Sequence, residues 1–290
     1  MPSRPRAERV AAAPISWGVC EAPGWGHELP AERVLTEMRA LGLRATELGP
    51  TGYLGDEPGA VRARLDRHGL RLAGGFLPVV LHTAAVDLDE AEAAIRTLAA
   101  AGSEVVVLAA RSLDGSYDRK VPLDDAEWRT LLGNLERLQD LVGEHGLRAT
   151  LHPHVGTAIE DRAAVYRLLD SSDVALCLDT GHLVIGGTDP AELVRQAADR
   201  VAHVHLKDVR LDVAATVHDS SYIDAVRHGM YAPLGDGDLD IAGIVTTLEA
   251  ADYSGWYVLE QDSALYDEPA EGAGPIDDVR RSLDFLATVP

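Results

Sequence analysis

Four short segments in the second half of the 290-residue chain carry nitrogen and oxygen donors: Leu151-His152-Pro153-His154, Leu178-Asp179-Thr180-Gly181-His182, Val204-His205-Leu206-Lys207-Asp208 and Leu259-Glu260-Gln261-Asp262. An apolar run enters each and a helix-like stretch follows, so each reads as the C-terminal end of a buried strand. Side chains alternate between the two faces of a strand. Parity then groups His152 with His154, Cys177 with Asp179, His203 and His205 with Lys207, and Val258 with Glu260 and Asp262. His152, Asp179, His205 and Glu260 at one end of four strands would make a set of imidazole and carboxylate ligands. Such a set suits a divalent transition metal (Mn²⁺, Co²⁺, Fe²⁺ or Zn²⁺) and suits Ca²⁺ or an all-oxygen Mg²⁺ cage poorly. The bland alternative is polar strand ends that only hydrogen-bond to one another.

A metal there would polarise a ketone and its neighbouring hydroxyl, acidify the α-hydrogen and stabilise an enediolate. Glu260 is the first candidate for the carboxylate that moves the proton. His154 and His182 stand at loop height, where they could donate to substrate oxygens or act as general acids. Lys207 shares an inward face with His205. Buried lysine can lose its proton, and the chain has only one other lysine, Lys120. Substrate contact or proton transfer is one reading of Lys207; an ion pair with Asp208 or Asp179 is the other. His203, one layer deeper, reads as a hydrogen-bonded core residue. In the first half, Trp17 could form an apolar wall under a ring-shaped substrate and Glu47 could bind a substrate hydroxyl. Trp25, Tyr53 and Arg111 lie in loops expected to reach the same mouth, with Tyr53 taken as a substrate contact. The run Leu234-Gly235-Asp236-Gly237-Asp238 reads as a turn before a helix, because its acids would repel phosphate.

Positioning these residues requires a scaffold that gathers strand ends. Strands are expected over Ala11–Ser16, Ala45–Leu48, Arg71–Leu77, Glu104–Ala109, Arg148–His152, Val174–Asp179, Val201–Leu206 and Trp256–Glu260. Helices are expected over Ala31–Leu41, Gly59–His68, Leu88–Ala101, Asp124–His145, Ala158–Asp170, Pro190–Ala198, Ile241–Ala251 and Ile276–Ala287. Gly42, Gly69, Gly102 and Gly146 supply repeated helix stops. Strict alternation of strand and helix predicts an α/β fold with a parallel sheet, and eight units in this length predict a closed (β/α)8 TIM barrel. No linker divides the chain, so residues 1–290 are expected to form a single barrel domain with its site at the C-terminal ends of the strands.

Composition narrows the partners. With 26 basic and 47 acidic residues the net charge is −21. Such a surface repels nucleic acid and anionic membranes, which argues against a metal-dependent nuclease on the same scaffold. Cys20 and Cys177 are far apart, and Cys177 sits in an apolar strand, so a buried thiol is expected rather than a disulfide. Arg4, Arg6 and Arg9 are followed by no apolar signal core, and no transmembrane span is read. A cytoplasmic enzyme acting on a small molecule is the expectation, with a homo-oligomer left open.

The motifs Pro14-Ile15-Ser16-Trp17-Gly18, Thr46-Glu47-Leu48-Gly49-Pro50, His152-Pro153-His154-Val155-Gly156-Thr157, Leu178-Asp179-Thr180-Gly181-His182-Leu183 and His203-Val204-His205-Leu206-Lys207-Asp208-Val209-Arg210 span nearly the whole chain. Together they resemble the xylose-isomerase-like barrel superfamily of sugar isomerases and epimerases, and within it the inosose dehydratases. The resemblance implies a metal-dependent dehydration of 2-keto-myo-inositol to a cyclohexanedione, in inositol breakdown. It implies ligand roles for Asp179, His205 and Glu260, a substrate contact for His182, and adds Arg210 to the expected substrate contacts. In the wider superfamily the strand-5 ligand is usually Glu with His two residues on; here His152 and His154 stand at those positions, and either could be the ligand. Epimerases of the family use two carboxylates on opposite faces of the substrate carbon. With His152 in the first place only Glu260 remains, which favours elimination of water. A keto-sugar isomerase or epimerase on the same metal site is the alternative, and a non-catalytic sugar-binding barrel is a third reading.

Overall fold

The computed structural model describes residues 4–84, 86, 88–217 and 221–290. The strands are β1 (Val10–Ala12), β2 (Ala45–Glu47), β3 (Arg71–Gly74), β4 (Phe76–Val79), β5 (Val105–Ala110), β6 (Arg148–Leu151), β7 (Ala175–Asp179), β8 (Val201–Leu206), β9 (Asp208–Val209), β10 (Tyr231–Ala232) and β11 (Tyr257–Leu259). The helices are α1 (Ala31–Ala40), α2 (Pro58–His68), α3 (Leu88–Ala101), α4 (Asp125–Glu144), α5 (Arg162–Ser171), α6 (Thr180–Ile185), α7 (Pro190–Ala197), α8 (Leu211–Ala214), α9 (Tyr222–Arg227), α10 (Ile241–Ala250) and α11 (Pro275–Thr288).

Nine strands form one parallel sheet in the order β3-β2-β1-β11-β8-β7-β6-β5-β4. Its two ends, β3 and β4, are one chain segment interrupted at Gly75, the segment expected as a single strand over Arg71–Leu77. Leu48 N–H donates to Gly74 O (3.1 Å) on one side and Val107 N–H to Gly75 O (2.9 Å) on the other. The sheet therefore closes on itself as the expected (β/α)8 barrel. A Cβ at Gly75 would stand 2.5 Å from Leu98 Cδ2 and 3.3 Å from Leu48 Cβ, so the seam depends on the missing side chain.

Apolar residues facing outward from the strands meet the helices in a continuous core. The barrel interior is filled by small side chains, Ala11, Ala13, Ala45 and Ala73 with Val258, over a floor of Trp256. Arg4 and Arg71 place their guanidinium groups 4.7 and 5.2 Å from the Trp256 ring.

Four departures from the expected elements matter to the site. β1 ends at Ala12, and Pro14–Trp17 form a 3₁₀ turn closed by Gly18 at φ 81°. Pro14 has no N–H to extend the ladder. The helix expected from Ala158 begins at Arg162, because Asp161 caps it by accepting Ala164 N–H (2.9 Å) while Thr157 Oγ1 holds Ile159 in a local turn. Two elements were not anticipated: α6, which follows β7 without a loop, and an excursion between β8 and α10. In the excursion β9 and β10 pair antiparallel, and α8 and α9 pack over the mouth on a small core of Trp25, Val155, Val209, Tyr222, Val226, Met230 and Tyr231. Among the described residues no helix is long and apolar enough to cross a membrane.

Gly133 lies exposed in the middle of α4, with open space where a Cβ would go. Gly133→Ala is expected to stabilise by about 0.5–1 kcal/mol, because glycine loses more backbone entropy on folding. Gly186→Ala would place a Cβ 2.1 Å from Glu160 O and should destabilise by roughly 1–3 kcal/mol. Thermal unfolding of the two variants should move in opposite directions by a few degrees; a shift of the same sign would contradict this packing.

Candidate active site

β11, β8, β7 and β6 are neighbours in the sheet, so four adjacent strands deliver their last inward residues to one place. Asp179 is in register with His205, and His205 with Val258, two residues before Glu260. His152 Nε2 lies 3.2 Å from Asp179 Oδ2. His205 Nδ1 lies 3.6 Å from the same oxygen and 3.0 Å from Glu260 Oε2. Donors bound to one ion at about 2.0–2.3 Å stand roughly 3.0–3.6 Å apart, so these spacings suit a shared ion. Asp179 Oδ1 accepts His182 N–H (2.8 Å) at the start of α6, which leaves Oδ2 bare. Asp179 Oδ2, His205 Nδ1 and both His152 nitrogens are buried with no hydrogen-bond partner among the described residues. Orphaned buried polar atoms are costly; Asp179, His205 and Glu260 each bring a donor atom within 4.8 Å of the others, and His152 joins them through Asp179 Oδ2. The donor set fits a divalent ion.

The surrounding groups orient that set. Glu47 Oε1 is 2.7 Å from His203 Nε2 and 3.2 Å from His205 Nε2. Against burial, Cys177, Glu260 and Glu47 hold the His205 imidazole protonated above its ordinary range, so taking an ion at Nδ1 would release that proton while Nε2–H stays on Glu47, the usual carboxylate–imidazole–metal arrangement. Burial disfavours charge on Glu47, yet His205 and His203 hold its carboxyl well below the ordinary range. Burial likewise opposes charge on Glu260, but His205 and Lys207 bring its carboxyl down to about 2. Lys207 Nζ sits 2.8 Å from Glu260 Oε1 and hydrogen-bonds Asp262 Oδ1. Against burial, Asp262, Glu260 and Asp179 keep its ammonium protonated well above the usual range. Lys207 is thus an acid or a cationic contact rather than a free amine.

The two further histidines are neutral. Burial, and then His152, push His154 down to about 3, and burial with His154 pushes His182 well below its ordinary value. Their ring centroids are 3.7 Å apart. His154 Nδ1 is 2.7 Å from Val155 O, which leaves Nε2 as its acceptor. His152, and not His154, is the imidazole beside Asp179.

A cavity of about 880 Å³ opens above this cluster, lined by His152, His154, His205, Lys207, Glu260 and Asp262 and walled by Trp25, Phe76 and Tyr117. Arg111 also lines it. Of the other expected contacts, Glu47 reaches the cavity, but its carboxylate serves His203 and His205. Trp17 does not line it: the 3₁₀ turn at Pro14 sends the indole into the helix layer, where its N–H donates to Glu37 Oε2 (2.8 Å). Tyr53 and Arg210 are outside it too. The Tyr53 hydroxyl donates to Leu29 O (2.8 Å) and the Arg210 guanidinium to Gly229 O (2.7 Å). Asp208 is no partner of Lys207; it accepts the backbone N–H groups of Val209, Gly235, Gly237 and Leu239 and so builds the glycine-rich turn. Asp262, Tyr222 and Tyr231 were missed. Tyr222 donates to Asp262 Oδ2 (2.7 Å) and meets the Tyr231 hydroxyl (2.8 Å). Asp262 shares strand parity with Glu260, which could have marked it. The tyrosines lie in the excursion, where no sequence period announces them.

Comparison with known proteins gives consistent matches. The family model described as xylose isomerase-like TIM barrel matches residues 35–289. An inosose dehydratase of Geobacillus kaustophilus is 35% identical over 279 residues, covering 89% of each chain. The rhizopine catabolism protein MocC of Rhizobium meliloti is 35% identical over 268 residues, covering 88% of this chain and 81% of its own. Among solved structures, L-ribulose 3-epimerase aligns with a TM-score of 0.70 at 18% identity over 96% of this chain and 93% of its own. The probable 3-DHS dehydratase AsbF of Bacillus anthracis aligns with a TM-score of 0.69 at 15% identity, over 97% and 100%. At these identities the two structures show the shared fold alone.

Chelator-treated protein titrated with Co²⁺ or Mn²⁺ is expected to bind about one ion per chain and to unfold at a higher temperature with the ion bound. Glu47→Gln should keep the fold and weaken ion affinity by roughly 10–100-fold, the usual penalty for losing an outer carboxylate. Calorimetric titration that shows unchanged affinity would remove Glu47 from the support of His205.

Proposed function

The chain belongs to the xylose isomerase-like TIM barrel family, and we propose that within it the protein is a hydro-lyase that removes water from a keto-inositol such as 2-keto-myo-inositol. The observation that carries the reading is the carboxylate–ammonium contact beside the ion position, Glu260 Oε1 and Lys207 Nζ 2.8 Å apart, with Asp262 on the far side of the ammonium. Relatives named inosose dehydratase, 30–35% identical over most of this chain, support the substrate class.

A divalent transition ion held by His152, Asp179, His205 and Glu260 would polarise the ketone and its neighbouring hydroxyl; Mn²⁺, Co²⁺, Fe²⁺ and Zn²⁺ suit the donors. Glu260, ionised and at the cavity wall, takes the α-proton. Lys207, protonated and next to it, gives a proton to the departing hydroxyl, which leaves as water. One C–H and one C–O bond break, and a carbon–carbon double bond forms. Neutral His154, at the cavity wall, accepts from a ring hydroxyl through Nε2; His182 stands behind it, its Nδ1 accepting Val155 N–H (3.5 Å) and its Nε2 3.4 Å from Lys207 Nζ. Trp25, Phe76 and Tyr117 bound the cavity with apolar faces that suit the CH face of a six-membered ring. The free thiols Cys20 and Cys177 suit a reducing, cytoplasmic setting.

Epimerisation shares the first step but requires a proton returned to the opposite face. His152 in place of a second carboxylate disfavours it. Incubation of metal-loaded protein with the keto-inositol in deuterated water is expected to give an ultraviolet-absorbing dione. An epimer carrying solvent deuterium at the inverted carbon, with no dione, would replace the lyase reading by the epimerase one. Glu260→Gln should lower kcat by about 10²–10⁴-fold with the fold intact, as expected for loss of a general base. His152→Glu should raise any epimerised product relative to the dione, measured in the same NMR assay.

A further inference from the structure

Below the upper donor set lies a softer one. Cys177 precedes Asp179 by two residues on β7, so it shares the inward face one layer deeper, in register with His203. Its side chain is fully buried and in no disulfide. One donor atom each of His152, Cys177 and His205 lie within 4.8 Å of one another. Both imidazoles are buried, and His152 carries two nitrogens without partners, of which the upper set uses Nε2. The dehydration step leaves Cys177 without a role.

We propose that His152, Cys177 and His205 form a second cation position, one layer beneath the carboxylate-bearing one, that takes soft divalent ions such as Cd²⁺ and Zn²⁺. The donors decide the preference: a thiolate with two imidazoles suits soft ions, whereas carboxylates favour Mn²⁺. A neutral imidazole has one lone pair, so the shared His152 and His205 serve one ion at a time. Binding breaks the S–H bond and forms a sulfur–metal bond; the proton leaves to solvent and no electrons change hands. A soft ion held there draws both histidines away from Asp179 and Glu260. It would therefore exclude the hard ion and stand back from Lys207 at the mouth. The inference concerns metal binding alone and does not rest on the lyase reading.

The test uses full-length, chelator-treated protein carrying Cys20→Ser, which leaves Cys177 the sole thiol. Titration with CdCl₂ is expected to raise a thiolate-to-cadmium charge-transfer absorption that saturates near one equivalent. X-ray absorption of the loaded protein should show a sulfur neighbour of cadmium. Saturating Cd²⁺ should weaken Mn²⁺ binding by at least the roughly tenfold that even an outer partner is worth. In Cys177→Ala the absorption should vanish while Mn²⁺ binding persists. A cadmium shell of nitrogen and oxygen only in the Cys20→Ser protein would overturn the site, and that result is readable even if Cys177→Ala fails to fold. Simultaneous binding of one Cd²⁺ and one Mn²⁺ per chain would overturn the shared-ligand geometry.

Discussion

Charge held out of water governs this structure. Glu47, Asp179, Glu260 and Asp262 are all buried at the mouth of one barrel, with Lys207 and His205 among them. Ionised groups are costly to desolvate unless paired, and the carboxylates here outnumber the fixed cations. The arrangement makes sense as a socket: carboxylates whose free oxygens face an ion, imidazoles kept neutral by burial or oriented by Glu47, and one ammonium clamped by Glu260 and Asp262. The apolar barrel and its helices supply the low-dielectric surroundings in which those few charges act strongly.

The same logic shows why some of the site was legible in the residues and some was not. Strand parity alone aligned His152, Asp179, His205 and Glu260, because a period of two leaves no freedom once the apolar face is assigned. Glu47 was expected at the mouth as a contact for a substrate hydroxyl, but the residues could not say that His203 and His205 would claim its carboxylate. Trp17 was misplaced for a local reason. Pro14 ends the ladder early, and the 3₁₀ turn rotates the indole toward α1. The closed barrel was legible from alternation, yet the seam at Gly75 was not, since a glycine pair inside a strand pattern looks like a weak strand rather than a joint. Asp262 carried the right parity and was passed over because its partners, Tyr222 and Tyr231, come from a segment without periodicity.

That segment closes the site from above. Trp25, Val155 and Tyr222 tie the excursion to loops following other strands, and Tyr222 N–H also reaches Asp118 Oδ1 at 2.8 Å. The hydroxyls of Tyr222 and Tyr231 bring the cover into contact with Asp262, so the cover and the ammonium of Lys207 share one hydrogen-bond network. The excursion and the aromatic walls thus shape the cavity above, while the titratable cluster sits on the strand ends below.

Asp208 gives this division a physical basis. Its two oxygens bind Val209 and Leu239 on one side and Gly235 and Gly237 on the other, at 2.8–3.1 Å. The excursion thus departs and returns through a neck pinched by one carboxylate. In polymer terms it is a ring tied off at its base. Lengthening such a ring adds only about 0.6 kcal/mol of closure entropy per doubling. The barrel below does not register the change. A longer or shorter ring would thus reshape the space above the strand ends at small cost in closure entropy.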